Sequence, residues 1–161
     1  MEPECIDACL RVWQGLELTL RSAETAGAAF SVVIILAGTN DLSRVLGQQY
    51  SLDDVVNNLK RLHETAYSYN CRTVALTIPE SFAEGRWKTA KEIRERINEE
   101  MREFADQSDG KTLLVDLATQ LPYFDLLPED RNQYWDDGLH LTKNGYSRMA
   151  CIIHSTLHAW I

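Results

Sequence analysis

Asp137 stands three residues before His140 in the stretch Tyr134-Trp135-Asp136-Asp137-Gly138-Leu139-His140-Leu141-Thr142. A histidine can serve as a general base near neutral pH when something fixes its tautomer and ring orientation. A carboxylate three residues earlier on the same loop can fold back to accept the Nδ1 proton, which puts the acid and base of a nucleophilic triad in one segment. Asp137 has that spacing and Asp136 does not. Far upstream, an apolar run closes in Gly38-Thr39-Asn40-Asp41. The Asn40 amide at such a strand end can donate to a developing oxyanion, a contribution of about 2.7–4 kcal/mol where comparable donors have been removed. Each segment also has a plain structural explanation. The first could be a solvated acid and a capping histidine, and Gly-Thr-Asn-Asp is good turn and helix-cap chemistry. His63, His154 and His158 fall at helical positions without a comparable acid, and they receive no role.

The elements that must position these residues follow from hydrophobic spacing. Ile6, Cys9, Leu10, Trp13, Leu16 and Leu20 recur at helical intervals between Cys5 and about Glu24, and Gly27 stops that helix. Ser31 to Ala37 is β-branched, continuous and closed by Gly38, the pattern of a strand buried on both faces. Ser51-Leu52-Asp53-Asp54 opens a second helix with a serine cap and early acids. Arg72 to Ile78 reads as a strand stopped by Pro79. Trp87 to about Ala105 is a charged helix with Ile93, Ile97, Met101 and Phe104 on its apolar side. Thr112 to Leu117 is a third strand, Ala118 to Gly138 is irregular, and a last helix starts near Lys143 or Asn144. Helices alternating with strands predict an α/β fold of parallel βαβ units. In such sheets ligands bind beyond the carboxyl ends of the strands, where Asn40 and the His140 loop can meet.

The chain of 161 residues is 45% hydrophobic and 25% charged, which suits a single domain over residues 1–161. Its net charge of −8 disfavours nucleic acid and anionic membrane as partners. Cys5, Cys9, Cys71 and Cys151 lack a zinc-ligand spacing, so no metal is expected and buried reduced thiols are the simpler expectation. The acidic start has no basic n-region or apolar h-region, and Val32 to Ala37 is too short for a membrane span. A cytoplasmic protein is the expectation.

Two blocks together carry a family resemblance. Val32-Val33-Ile34-Ile35-Leu36-Ala37-Gly38-Thr39-Asn40-Asp41-Leu42 resembles the third conserved block of the SGNH (GDSL-type) hydrolases. Asp137-Gly138-Leu139-His140-Leu141-Thr142, continuing through Asn144-Gly145-Tyr146, resembles the fifth. The resemblance covers the chain from Ser31 onward and implies a three-layer α/β/α, flavodoxin-like sandwich. It implies serine esterase chemistry on a small-molecule carboxylic ester with no cofactor. By position, Asn40 would be an oxyanion-hole donor, Asp137 the orienting acid, His140 the base and Gly38 a close-packing glycine.

The family's Gly-Asp-Ser nucleophile block and its second, glycine-bearing block are not found in these residues. Ser108-Asp109-Gly110 is a turn at the wrong sheet edge, and Ser43 sits where a helix or loop should start. Without an attacking oxygen the histidine has no proton to take for acyl transfer. A truncated hydrolase, a pseudoenzyme and a serine supplied by another chain all fit, and retention of Asn40, Asp137 and His140 favours truncation. A non-catalytic binding module is the alternative function. The N-terminal strands would then be missing from the sheet. The Ser31–Ala37 strand would have an open edge, available for homodimer formation or aggregation. Phe82, Trp87, Tyr123, Phe124, Tyr134 and Trp135 could wall a pocket, with ordinary packing expected for at least half of them.

Overall fold

Three runs rich in β-branched and leucine residues form one parallel sheet, in the order β1-β2-β3: β1 Val32–Ile35, β2 Arg72–Leu76 and β3 Thr112–Val115. The computed structural model describes residues 4–160, with side chains from residue 12 onward. Helices α1 Glu4–Thr25, α2 Thr39–Leu46, α3 Leu52–Ser68, α4 Lys88–Asp106, α5 Leu117–Gln120, α6 Pro128–Tyr134 and α7 Lys143–His158 complete the described chain. In register, Ile35 lies opposite Ala75 and Ala75 opposite Leu114.

Alternation along the strands sends successive side chains to opposite faces, which makes three layers. On one face Ala75 meets Val55, Leu59 and Leu62 of α3 and Ile93, Ile97 and Met101 of α4. On the other, Val74, Leu76 and Val115 meet Ile152, Ile153 and Leu157 of α7. Each such side chain contributes roughly 1.5–3 kcal/mol when fully buried. The start of α3 is set as its composition suggests. Ser51 Oγ accepts the Asp54 N–H at 3.0 Å, while Asp54 Oδ2 accepts the Ser51 N–H, a reciprocal cap. His63, buried on the α3 side, meets Thr73 Oγ1 at 2.8 Å, so it is a satisfied core histidine.

Four local expectations change. The stretch from Ala118 to Gly138 is not irregular throughout: Asp116 caps the short α5, and Pro128 takes the first position of α6. Helix α2 begins immediately after Gly38, where a turn was the simpler expectation. β1 is not buried on both faces: among the described residues it pairs with β2 alone, Val32 packs against the Val74–Leu76–Val115 cluster, and Ile34 is 48% and Leu36 42% exposed. Cys71 is buried but Cys151 is exposed on α7, and the Cys5 and Cys9 side chains lie outside the described ones. No described helix is long and apolar enough to cross a membrane.

Candidate active site

A short loop between α6 and α7 carries Asp137 and His140. Its ends are pinched by an antiparallel bridge between Trp135 and Leu141, by the Asp136 N–H donating to His140 O at 2.9 Å, and by the Thr142 N–H donating to Tyr134 O at 3.0 Å. Trp135 anchors it: the indole is buried and donates to Pro122 O at 3.2 Å. Gly138 permits the reversal with φ +83°. A Cβ there would lie 2.8 Å from Phe82 Cβ and 3.0 Å from Tyr123 Oη, so the loop crosses too close for any side chain.

Within this loop Asp137 uses both oxygens. Oδ1 accepts the Leu139 and His140 N–H groups at 2.9 and 2.7 Å, and Oδ2 lies 2.7 Å from His140 Nδ1. Because a carboxylate can only accept, Nδ1 carries the proton and Nε2 keeps its lone pair for other work. The His140 backbone N–H, then its ring, then the Leu139 N–H hold the Asp137 carboxyl far below the usual carboxylate range. In return, the hydrogen bond and negative charge of Asp137 raise the His140 pKa. Both side chains are more than half exposed, so this electrostatic pairing is open to screening by water and salt.

Asn40 sits in the first turn of α2, beyond the carboxyl end of β1. Gly38 precedes it with φ +99°, and a Cβ there would lie 2.8 Å from Ile78 Cδ1 and 3.3 Å from Leu59 Cδ1. That close approach lets the chain turn from strand into helix directly over the core. Asn40 and His140 line one cavity of about 910 Å³, and Gly38, Glu80, Trp135 and Leu139 share its wall. Asp137 is not on the wall and reaches the cavity through its hydrogen bonds to His140 and the Leu139 N–H. Ser43 Oγ is turned back onto Asn40 O at 3.0 Å and does not line the cavity. Among the described residues, no group of three or more His, Cys, Asp or Glu could hold a metal ion.

Of the aromatic residues proposed for a pocket wall, only Trp135 lines the cavity. Tyr123 packs edge-on against Trp135, with ring centroids 5.5 Å apart, and Phe82, Trp87 and Phe124 point to solvent. The sequence reading missed Trp13, Asn58, Arg61 and Tyr146, which share the wall. Trp13 and Tyr146 come from the first and last helices, where their spacing signals core packing rather than a cleft. It also missed Glu80. Its Oε2 accepts the Tyr123 and Phe124 N–H groups at 2.8 and 3.1 Å, which ties the loop after β3 to the end of β2. Behind it, buried Arg94 donates twice to Glu84, at 2.8 and 3.0 Å. A Pro followed by Glu carried no signal for that latch.

Comparison with known proteins bears on the family and the fold. The profile of the GDSL-like Lipase/Acylhydrolase family matches residues 9–148. Among solved structures, a GDSL-like lipase from Bacteroides thetaiotaomicron superposes with a TM-score of 0.65 at 22% identity, over 90% of this chain and 70% of that one. A catalytic mutant of an acetylxylan esterase from Geobacillus stearothermophilus gives 0.65 at 16% identity, over 92% and 69%. These likenesses concern the fold. No curated protein matches the chain. With most of its length inside the family profile, and three parallel strands layered between helices as in those structures, the chain belongs to the GDSL-like lipase/acylhydrolase family, a family of hydrolases.

Proposed function

We propose that this chain forms most of a serine ester hydrolase acting on small carboxylic esters, in one domain over residues 1–161 whose first strands and nucleophilic serine lie outside these residues. The observation that carries this is His140, held by Asp137, on the same cavity as Asn40. In the reaction His140 Nε2 takes the proton of the attacking hydroxyl while Asp137 holds Nδ1 and stabilises the imidazolium. The Asn40 amide donates to the carbonyl oxygen as it becomes negative. The imidazolium then returns its proton to the leaving alcohol, and a water repeats the cycle on the acyl-enzyme.

The test is a version of the chain extended at its N-terminus with a Gly-Asp-Ser strand, assayed on short p-nitrophenyl esters. Hydrolysis should fall about 10⁴-fold or more in His140→Ala and about 10²–10³-fold in Asn40→Ala. Activity indifferent to His140→Ala would refute the assignment. Ligand binding without hydrolysis would instead make the chain an inactive binding module on the same scaffold.

The same reading includes self-association through the free edge of β1, where Ile34 and Leu36 are exposed beside unpaired backbone groups. Sedimentation should find a dimer that Ile34→Lys disperses, whereas a monomer at high concentration would end that part of the proposal. Cytoplasmic residence goes with it, and fractionation would test that.

A further inference from the structure

Asn40 and His140 come from distant parts of the chain, so something between them must fix how they stand across the cavity. The stretch Ile78-Pro79-Glu80, just past the end of β2, meets the supports of both. On one side, the Ile78 side chain fills the space where a Gly38 Cβ would stand, under the turn that leads to Asn40. On the other, Glu80 Oε2 accepts the Tyr123 and Phe124 N–H groups at 2.8 and 3.1 Å. The Asp137–His140 loop rests on the residues so held. Its Gly138 crosses where a Cβ would lie 3.0 Å from Tyr123 Oη, and its Trp135 packs edge-on against the Tyr123 ring while donating to Pro122 O.

The stretch is itself clamped from α4. Asn98 Oδ1 accepts the Ile78 N–H at 2.7 Å, and Asn98 Nδ2 donates to Ile78 O at 2.9 Å. One turn earlier on the same helix face, the Arg94 guanidinium grips Glu84 and stands 4.0 Å from Glu80 Oε1. Glu84 Oε1 accepts the Ser81 N–H at 3.1 Å, and the Phe82 N–H that follows donates to Gly138 O at 2.9 Å. Asn98 and Arg94 are both buried. A buried polar network with its partners in place is rigid, so α4 carries one bracket with an arm under each side of the cavity.

We propose that Glu80 is a positioning residue of the site, whose carboxylate fixes where His140 stands relative to Asn40. This rests on the hydrolase reading above, which gives that spacing its purpose. A carboxylate suits the task. One of its oxygens can accept both N–H groups, and bonds to an ionised acceptor are roughly twice as strong as neutral ones. The Asp137–His140 bond does not depend on Glu80, because it is made within the loop. Glu80 therefore governs distance and orientation across the cavity, while the proton affinity of His140 stays with Asp137. Misplacement of a reacting group by about 1 Å lowers a rate on the order of 10²-fold.

The experiment compares Glu80→Ala and Glu80→Gln, with Glu100→Ala as control, since Glu100 pairs with Lys60 and does not line the cavity. Amide hydrogen exchange, followed by NMR on the chain as it stands, reads the loop without substrate. Glu80→Ala should speed exchange about tenfold or more at Phe82, Asp136 and Thr142, whose N–H groups bond the loop to its shelf or close it, and leave the amides of β2 as in the parent. Glu80→Gln, which keeps an acceptor, should speed them less, and His140 should titrate as in the parent in both. In the extended, active version, kcat should fall about 10–10²-fold in Glu80→Ala with KM and the pH limb unchanged, and Glu80→Gln should recover part of it. Faster exchange confined to Tyr123 and Phe124, spread through β2, or matched by Glu100→Ala would overturn the assignment. So would a His140 pKa lowered equally in both Glu80 variants, the mark of a charge effect. Should Glu80→Ala fail to fold, Glu80→Gln is read by the same criteria. An inactive extended parent would sink the hydrolase reading, while the exchange pattern would still decide the role of Glu80.

Discussion

Replacing Gly38 by alanine probes the turn that delivers Asn40 to the cavity, and the structure separates two costs. The first is conformational: φ is +99°, in the left-handed region, where an L-residue loses about 1–2 kcal/mol. The second is steric, because the new Cβ would stand 2.8 Å from Ile78 Cδ1 over a close-packed core. Overpacking of that kind costs about 1–3 kcal/mol. Gly110 supplies the control. Its φ is +74° and nothing lies within 4 Å of a Cβ there, so Gly110→Ala carries only the first cost. Urea and thermal unfolding should place Gly38→Ala about 1–3 kcal/mol below Gly110→Ala, a further drop in Tm of about 2–12 °C for a chain of this size. Ile78→Val removes the methyl that the new Cβ would strike. In the Gly38→Ala background it should therefore cost less than alone, or stabilise, giving a coupling of about 0.5–3 kcal/mol. If Gly38→Ala were no worse than Gly110→Ala, or the pair strictly additive, the close approach would not be what fixes this glycine.

Other expectations follow from the charges. NMR titration of His140 should give a pKa above the ordinary histidine value, brought back down by Asp137→Asn. In an extended, active version kcat/KM should rise as pH climbs through that pKa, and the variant should move the limb to lower pH. The pairing stabilises the fold at pH values above the unfolded Asp137 pKa, and its His140 share fades as pH rises through the raised folded value. His63 works in the opposite sense. Burial lowers its pKa from 6.5 to about 4, so its neutral form stabilises the fold above pH 6.5 and that support drains as pH falls to 4. The unfolding free energy from urea titrations should fall by about 3 kcal/mol over that window, and His63→Gln should flatten the loss. Arg94→Met strands the Glu84 carboxylate, whose side chain is 3% exposed, and should destabilise the chain by about 3–5 kcal/mol in urea.

Much of this was legible in the sequence because local rules and tertiary needs agree. Ser51 followed by Asp54 announced the start of α3, and the β-branched runs announced each strand to within two residues. The Asp137–His140 pair was legible for the same reason: both partners lie on one loop, so spacing alone carries the geometry. What was not legible depends on long-range placement. Whether Val32 to Leu36 would be covered on both faces depended on what lies beside β1, which no residue in the run encodes. Phe82 and Phe124 look like wall residues in sequence, yet Glu80 and Gly138 hold their loops so that the rings face outward. Helices α5 and α6 were hidden because each is short and set by one residue, Asp116 and Pro128.

The pinched loop between Trp135 and Leu141 gives the two parts of the cleft unequal resilience. The acid and the imidazole bond to each other within four consecutive residues, so their mutual geometry is set locally. The Asn40 amide depends instead on the join between β1, the edge strand among the described residues, and α2, and edge elements open at a lower free-energy cost than central ones. Under mild denaturation a basic, well-oriented histidine should outlast the donor opposite it, leaving a cleft that can still move protons but no longer steadies negative charge.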